Sequence, residues 1–143
     1  MSSVAGRSFL DTNILVYAFD PKAISKREYA QLRIARALAA HDAVISFQVV
    51  QEFLSLALRK FPRPMTQPEA QAYLSQVLMP LCEVFPDASL YASALSIADE
   101  TGWTLYDSLI ASAALAAECS VLLTEDLQHG RTIRGVEIRN PFL

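Results

Sequence analysis

The sequence predicts an α/β fold, a parallel sheet covered by helices on both faces. Short apolar strands alternate with helix-patterned segments along all 143 residues, 52% of which are hydrophobic. Alternation of this kind closes into a parallel sheet through right-handed crossovers. No repeat, low-complexity run or Gly/Ser linker divides the chain, and Phe61-Pro62-Arg63-Pro64 is its one substantial break. The length suits one domain, 1–143, and is too short for two ordinary ones.

Ser8-Phe9-Leu10 reads as the first strand, and the apolar residues through Tyr17 as a helical turn or two. Ile24, Tyr29, Leu32, Ala35 and Leu38, with Lys and Arg between them, mark a helix from Lys22 to Ala40; Ala43-Val44-Ile45 follows as the second strand. Ser46 caps a helix from Phe47 to Lys60 that sets Phe47, Val50, Leu54, Leu58 and Phe61 on one side, and the prolines beyond end it. Thr66 and Pro68 open a helix running to about Met79. Leu81 to Phe85 forms the third strand, and Asp87 caps a helix that stops at Gly102. Thr104 to Glu118 is Ala-rich and helical, Ser120-Val121-Leu122-Leu123 is a strand, and Val136-Glu137-Ile138-Arg139 is the last.

Composition excludes several classes. A chain of this size buries roughly two-thirds of its unfolded surface, and its apolar content supplies that core, which argues against disorder. Residues 1–7 lack the apolar run of a signal peptide, and Asp107 and Glu118 interrupt the apolar stretch from Leu105 to Leu123. Export and membrane spanning are therefore not expected, and a cytoplasmic location is. Cys82 and Cys119 stand far apart in no C-x-x-C pattern, as reduced, buried thiols do. The net charge of −3 argues mildly against a nucleic-acid binder, but its distribution is uneven. Residues 1–63 hold nine Lys/Arg against five Asp/Glu, residues 64–130 hold no Lys/Arg and nine Asp/Glu, and residues 131–143 hold three Arg and one Glu. Such segregation fits basic groups set around an acidic centre, and equally an acidic face that meets a basic partner.

In open α/β sheets, ligands bind beyond the carboxyl ends of the strands, where the strand order reverses. Asp11 follows the first strand directly and Asp126 lies just past Leu123, so both project toward one crevice. Glu52 lies on the helix after the second strand between Val49 and Leu56, and Asp107 follows Thr104 in the first turn of its helix. Each has a plain structural use. Asp11 suits a helix cap, Asp126 a solvated turn, Glu52 an acid whose methylenes cover an apolar border, and Asp107 half of a capping box. Gathered at one crevice, however, the four would repel, since two unit charges about 4 Å apart cost roughly 4 kcal/mol at an effective dielectric near 20. A divalent cation removes that cost. Hard oxygen donors without His or Cys select Mg²⁺ or Mn²⁺ over Zn²⁺, as one ion or two. Such ions acidify a bound water and stabilise the oxyanions of phosphoryl displacement.

Four segments carry these acids: Phe9-Leu10-Asp11-Thr12-Asn13-Ile14-Leu15-Val16-Tyr17, Ser46-Phe47-Gln48-Val49-Val50-Gln51-Glu52-Phe53, Tyr106-Asp107-Ser108-Leu109-Ile110-Ala111-Ser112-Ala113-Ala114 and Thr124-Glu125-Asp126-Leu127. In this order they resemble the PIN-domain ribonucleases, especially the VapC-type toxins of bacterial and archaeal toxin–antitoxin pairs. The resemblance implies a three-layer α/β/α sandwich around a parallel five-stranded sheet. It further implies Mg²⁺ or Mn²⁺ dependence, endonucleolytic cleavage of tRNA or rRNA, a homodimer, and inhibition by a cognate antitoxin. It carries over Asp11, Glu52, Asp107 and Asp126 as metal ligands or water-activating groups, and Asn13 and Thr124 as orienting groups. Glu125 is either an outer acid or a residue that points away.

With no Lys or Arg in residues 64–130, RNA phosphates fall to the two ends of the chain. The expected contacts are Lys22, Lys26, Arg27, Arg33 and Arg36 on one helix and Arg131 and Arg134 near the last acid, although a basic helix face is commonly just solvated. Other site types find no footing. A phosphoacceptor receiver needs a late-strand Lys, and the lysines are Lys22, Lys26 and Lys60. Gly6, Gly102, Gly130 and Gly135 build no G-x-x-x-x-G-K loop. His41 and His129, the only imidazoles, sit in polar turns, and no nucleophile elbow is present. The remaining alternatives are a PIN-like scaffold that binds RNA or protein without cutting, and a housekeeping PIN nuclease.

Overall fold

Strands β1 (Ser8–Leu10), β2 (Ala43–Ser46), β3 (Cys82–Val84), β4 (Val121–Leu123), β5 (Thr132–Ile133) and β6 (Val136–Arg139) form one sheet in the order β3-β2-β1-β4-β6-β5. The computed structural model describes residues 6–143; residues 1–5, most of the segment expected to lack a leader, lie outside the described residues. The five expected strands are all present and pair in parallel. The expected strand count is corrected from five to six, because β5 adds an antiparallel edge to β6, pairing Thr132 with Glu137 and Ile133 with Val136. This hairpin turns through Arg134 (φ 48°) and Gly135 (φ 90°). Both turn residues have positive φ, as two-residue hairpin loops demand, but Arg-Gly lacks the Asn-Gly or Asp-Gly signature that announces one.

The helices are α1 (Thr12–Tyr17), α2 (Ile24–Ala40), α3 (Phe47–Arg59), α4 (Gln67–Tyr73), α5 (Met79–Leu81), α6 (Ala88–Thr101) and α7 (Leu105–Ala116). The helix expected from Thr66 to about Met79 is interrupted by a π-helical segment, Leu74–Leu78, before α5. Its start is a full capping box: Thr66 Oγ1 accepts from the Glu69 N–H at 3.3 Å, and Glu69 Oε1 accepts from the Thr66 N–H at 2.9 Å. Asp87 caps α6 by accepting from the Leu90 N–H at 2.7 Å, and Gly102 ends it at φ 79°. Ser46 stands at the N-cap of α3 but makes no side-chain capping bond.

Helix α7 packs on β2, β4 and β6 with α6 against it, while α1 packs on α2 and α3, which meet β2. The sheet thus lies between helical layers around Phe9, Leu10, Ile45, Leu122 and Ile138, all buried. Cys82 and Cys119 are free and buried, and burial pushes the Cys119 thiol up to about 11. No helix among the described residues is long and apolar enough to cross a membrane.

From the central strand β1 the chain builds outward through β2 to β3, then returns to β4 on the other side of β1. The order reverses between β1 and β4, so the crevice of the fold opens beyond their carboxyl ends. Asp11 and Thr124 are the residues that leave those two strands. The Asp11 N–H donates to the Leu123 carbonyl at 3.0 Å, and the Thr124 N–H to that of Arg139 at 3.1 Å.

Candidate active site

Asp11 is buried where β1 passes into α1. Its Oδ1 accepts from the Thr12 N–H at 2.7 Å and its Oδ2 from the Thr124 hydroxyl at 2.8 Å. Burial pushes its carboxyl up to about 6; the two hydrogen bonds oppose that rise, and the charges of Asp126 and Glu52 add to it. Asp11 is therefore both the N-cap of α1 and a strained acid. Thr124 is fully buried and works in three directions, donating to Asp11 while accepting from the Asp126 N–H at 3.0 Å and from Asn13 Nδ2 at 3.4 Å. Asn13 also donates to Asp126 Oδ2 at 3.0 Å, and its Oδ1 accepts from the Glu125 N–H at 3.3 Å. The two residues expected to orient the site tie the segment after β4 to the start of α1.

Glu52 enters from α3. Thr12 Oγ1 donates to its Oε1 at 2.6 Å, and Gln48 Nε2 donates to its Oε2 at 3.3 Å while reaching the Tyr106 carbonyl at 3.2 Å. Sequence reasoning misses Thr12 and Gln48 as site residues. The signal is nonetheless present, since Thr12 adjoins Asp11 and Gln48 precedes Glu52 by one helical turn on the same face. A pocket lined by Thr12, Asn13, Val16, Glu52 and Asp126 opens over this network.

Asp107 takes no part in this hydrogen-bond network. Its N–H donates to Thr104 Oγ1 at 3.1 Å, the half capping box expected, and its carboxylate makes no hydrogen bond or ion pair among the described residues. The Gln48 bridge ends on its neighbour Tyr106, which is how α7 connects to Glu52. None of the four acids pairs with a Lys or Arg among the described residues. Nor do any three Asp, Glu, His or Cys side chains there form a ready-made metal cage. The acids are linked through donors instead: Thr124 and Asn13 connect Asp11 to Asp126, and Thr12 connects Asp11 to Glu52. In chemistry the donor set fits a hard divalent cation, being all oxygen, uncompensated and partly desolvated.

The family model of the PIN domain matches residues 8–134. The chain belongs to the PIN-domain family. Its fold is similar to that of VapBC2 from Rickettsia felis, solved bound to a DNA fragment from its promoter, at 24% identity and a TM-score of 0.61, covering 93% of this chain and 97% of that one. It is also similar to DNA-bound VapBC from Salmonella typhimurium (22% identity, TM-score 0.62, 93% and 96% covered). A third likeness is to Mycobacterium tuberculosis VapC20, a sarcin-ricin loop cleaving toxin (17% identity, TM-score 0.55, 83% and 91% covered). No curated protein matches the chain in sequence.

In this PIN domain most of the basic residues expected to meet RNA are engaged elsewhere. Arg33 is buried and pairs with Asp42 at 2.9 Å, and Arg36 reaches the same carboxylate at 3.0 Å. Asp42 directly precedes β2, so both arginines serve the amino edge of the sheet, opposite the acids. Arg27 donates to the Asp20 carbonyl at 3.2 Å, Arg134 pairs with Glu100 at 2.8 Å, and Arg131 lies over the Trp103 ring at 5.1 Å. Lys26 pairs with Glu125 at 2.6 Å and sits over the Tyr17 and Phe142 rings. Glu125 also accepts from the Tyr17 hydroxyl at 2.6 Å, so it points away from the acids. Burial works against its charge, but the bonds from Lys26 and Tyr17 prevail and hold its carboxyl below the usual range. His129 Nδ1 accepts from the Asn140 N–H at 2.9 Å, which fixes the turn after β6. Lys22 has no ionic partner among the described residues.

Proposed function

We propose that this chain is a Mg²⁺- or Mn²⁺-dependent endoribonuclease, the toxin of a toxin–antitoxin pair, acting on structured RNA of the tRNA or rRNA class. One observation carries the reading: Glu52 and Asp126 line one crevice from separate elements with Asp11 buried beside them, none of the three has a basic partner among the described residues, and the charges of Glu52 and Asp126 help to raise Asp11 to about 6. Asp11, Glu52, Asp107 and Asp126 would hold one or two ions. A bound divalent ion acidifies water and neutralises charge gathering on the phosphate.

The chain's own residues set the stage for that chemistry. Thr124 and the Thr12 N–H fix the plane of the Asp11 carboxylate, each leaving lone pairs free. Thr12 Oγ1 and Gln48 lock the rotamer of Glu52, and Asn13 fixes Asp126. Supports of this kind orient ligands and raise their basicity, and losing one typically costs roughly 10- to 100-fold in affinity or activity.

Membership of the PIN-domain family supports nuclease chemistry. The VapBC structures support a small antitoxin protein as inhibitor, and the sarcin-ricin loop cleaving toxin supports an exposed RNA loop as target. A homodimer in the cytoplasm belongs to the same reading. The test is cleavage of total RNA by purified, partner-free protein in Mn²⁺, beside Asp11→Ala and Asp107→Ala. Cleavage that disappears in both variants while their circular dichroism is kept is the expected result. Equal activity in either variant would remove its acid from the mechanism, and activity in excess chelator would remove the metal.

A further inference from the structure

We propose that Lys22 and Lys60 form a phosphate-binding track that leads a single RNA strand into the acidic crevice. The inference rests on the nuclease reading above and names a path for its substrate. The crevice is walled by Val16 of α1 and Leu56 of α3 beside Asn13, Glu52 and Asp126. A second groove shares Val16 and Leu56 as lining and continues past Lys22 and Lys60 to Phe61 and Pro62. The two grooves adjoin along these shared walls, Glu52 and Asp126 lining one and the exposed Lys22 and Lys60 the other.

The spacing on α3 is regular. Glu52, Leu56 and Lys60 follow one another at four-residue steps, a single stripe along the helix. Eight residues at about 1.5 Å each put Lys60 about 12 Å down the axis from Glu52. A strand whose reacting phosphate sits at the acids therefore brings a phosphate a few nucleotides away under Lys60. Lys22 faces it across the groove from the turn before α2.

Neither lysine has an ionic partner among the described residues; Arg27, Arg59 and Arg131 share that freedom but do not line this groove. Asp20 lines the same groove, but its Oδ1 accepts from the N–H groups of Lys22 and Ala23 at 2.8 and 3.2 Å, which spends that oxygen on the turn. Arg63 lines a neighbouring groove and lies 3.5 Å from Glu69, so the charges of this one are the two ammonium groups against the single carboxylate of Asp20.

The test is the salt dependence of binding to a short, fluorescein-labelled, single-stranded RNA of mixed sequence, followed by anisotropy in EDTA so that no strand is cut. Each phosphate that a lysine neutralises adds about 0.7 to the slope of log affinity against log salt. The double variant Lys22→Ala/Lys60→Ala should therefore have a slope shallower by about 1.4, so that between about 50 and 200 mM salt its affinity falls about sevenfold less than that of the unsubstituted protein. Arg36→Ala, which removes the same kind of charge at the far edge of the sheet, should leave the slope unchanged. In Mn²⁺ the double variant should show a raised KM with kcat kept. Equal slopes in all three proteins overturn the proposal and leave the groove to an acidic segment of a protein partner. Loss of cleavage in Asp11→Ala is read separately. A nuclease with unaltered slopes loses only the lysine track, and a lysine-dependent slope without any cleavage loses only the chemistry.

Discussion

Replacing Asp11 with Asn should stabilise the metal-free protein at neutral pH and destabilise it in mild acid. Asp11 is buried, and its carboxyl is lifted from an ordinary 3.8 to about 6. The folded state therefore holds this proton more tightly than the unfolded chain, and stability falls as pH rises from about 4 through 6, the loss being complete above about 7. A shift of this size corresponds to about 3 kcal/mol. Asn carries no charge and escapes that penalty, but its amide leaves the Thr124 hydroxyl or the Thr12 N–H without its carboxylate acceptor, at about 1 kcal/mol. The net gain at about pH 8 in chelator is about 2 kcal/mol, or roughly 5 to 8 °C in Tm for a domain of this size. Near about pH 4 the penalty vanishes and the variant should be less stable by about 1 kcal/mol. Thermal unfolding followed by circular dichroism across this range, in EDTA, gives both numbers. A variant less stable than the parent by the same amount at every pH would refute the strained-carboxylate reasoning.

Two further outcomes follow from the same geometry and a third from the family reading. Thr12→Val removes the hydroxyl that holds Glu52 while keeping its volume, so RNA cleavage should fall about 10-fold or more with little change in Tm; unchanged kinetics would show that Glu52 needs no such support. Asp42→Asn leaves the buried Arg33 guanidinium poorly compensated and should cost about 3 kcal/mol in denaturant unfolding, with no change in the salt dependence of RNA binding. A cost below about 0.5 kcal/mol, the ordinary range of a surface substitution, would mean that solvent serves Arg33 equally well. Sedimentation equilibrium should find the homodimer expected of VapC-type proteins, and a monomer at all concentrations tested would remove the second copy from the functional reading.

Much of this arrangement is legible because it is written in short, ordered segments. Asp11 follows a buried strand at once, and the parallel alternation brings the ends of β1 and β4 together, so two acids can be placed at one crevice without coordinates. Glu52 is legible from its helix face. Less visible are facts that depend on pairing across distant parts of the chain. Arg33 and Arg36 look available for RNA because a helical pattern shows which face is basic but not that Asp42 waits at the next turn. Lys60 gives no signal by itself, because its link to the site runs through the shared walls Val16 and Leu56. The strand β5 is two residues long, too short for any periodicity, and its turn carries Arg where a hairpin signature has Asn or Asp. Thr12 and Gln48 lie inside the motifs that point to the acids, but which side chain braces which carboxylate is decided by rotamers. The same holds for Asp107, whose place in the order is plain while the absence of its carboxylate from the hydrogen-bond network is not.

Uptake of Mn²⁺ by chelator-stripped protein, read from the free-ion signal in electron paramagnetic resonance, tests most directly whether these carboxylates exist to hold a cation. Saturable binding of one or two ions that is lost in Asp11→Asn is expected. No uptake, or uptake that Asp11→Asn leaves intact, would contradict a metal-dependent nuclease built on this crevice.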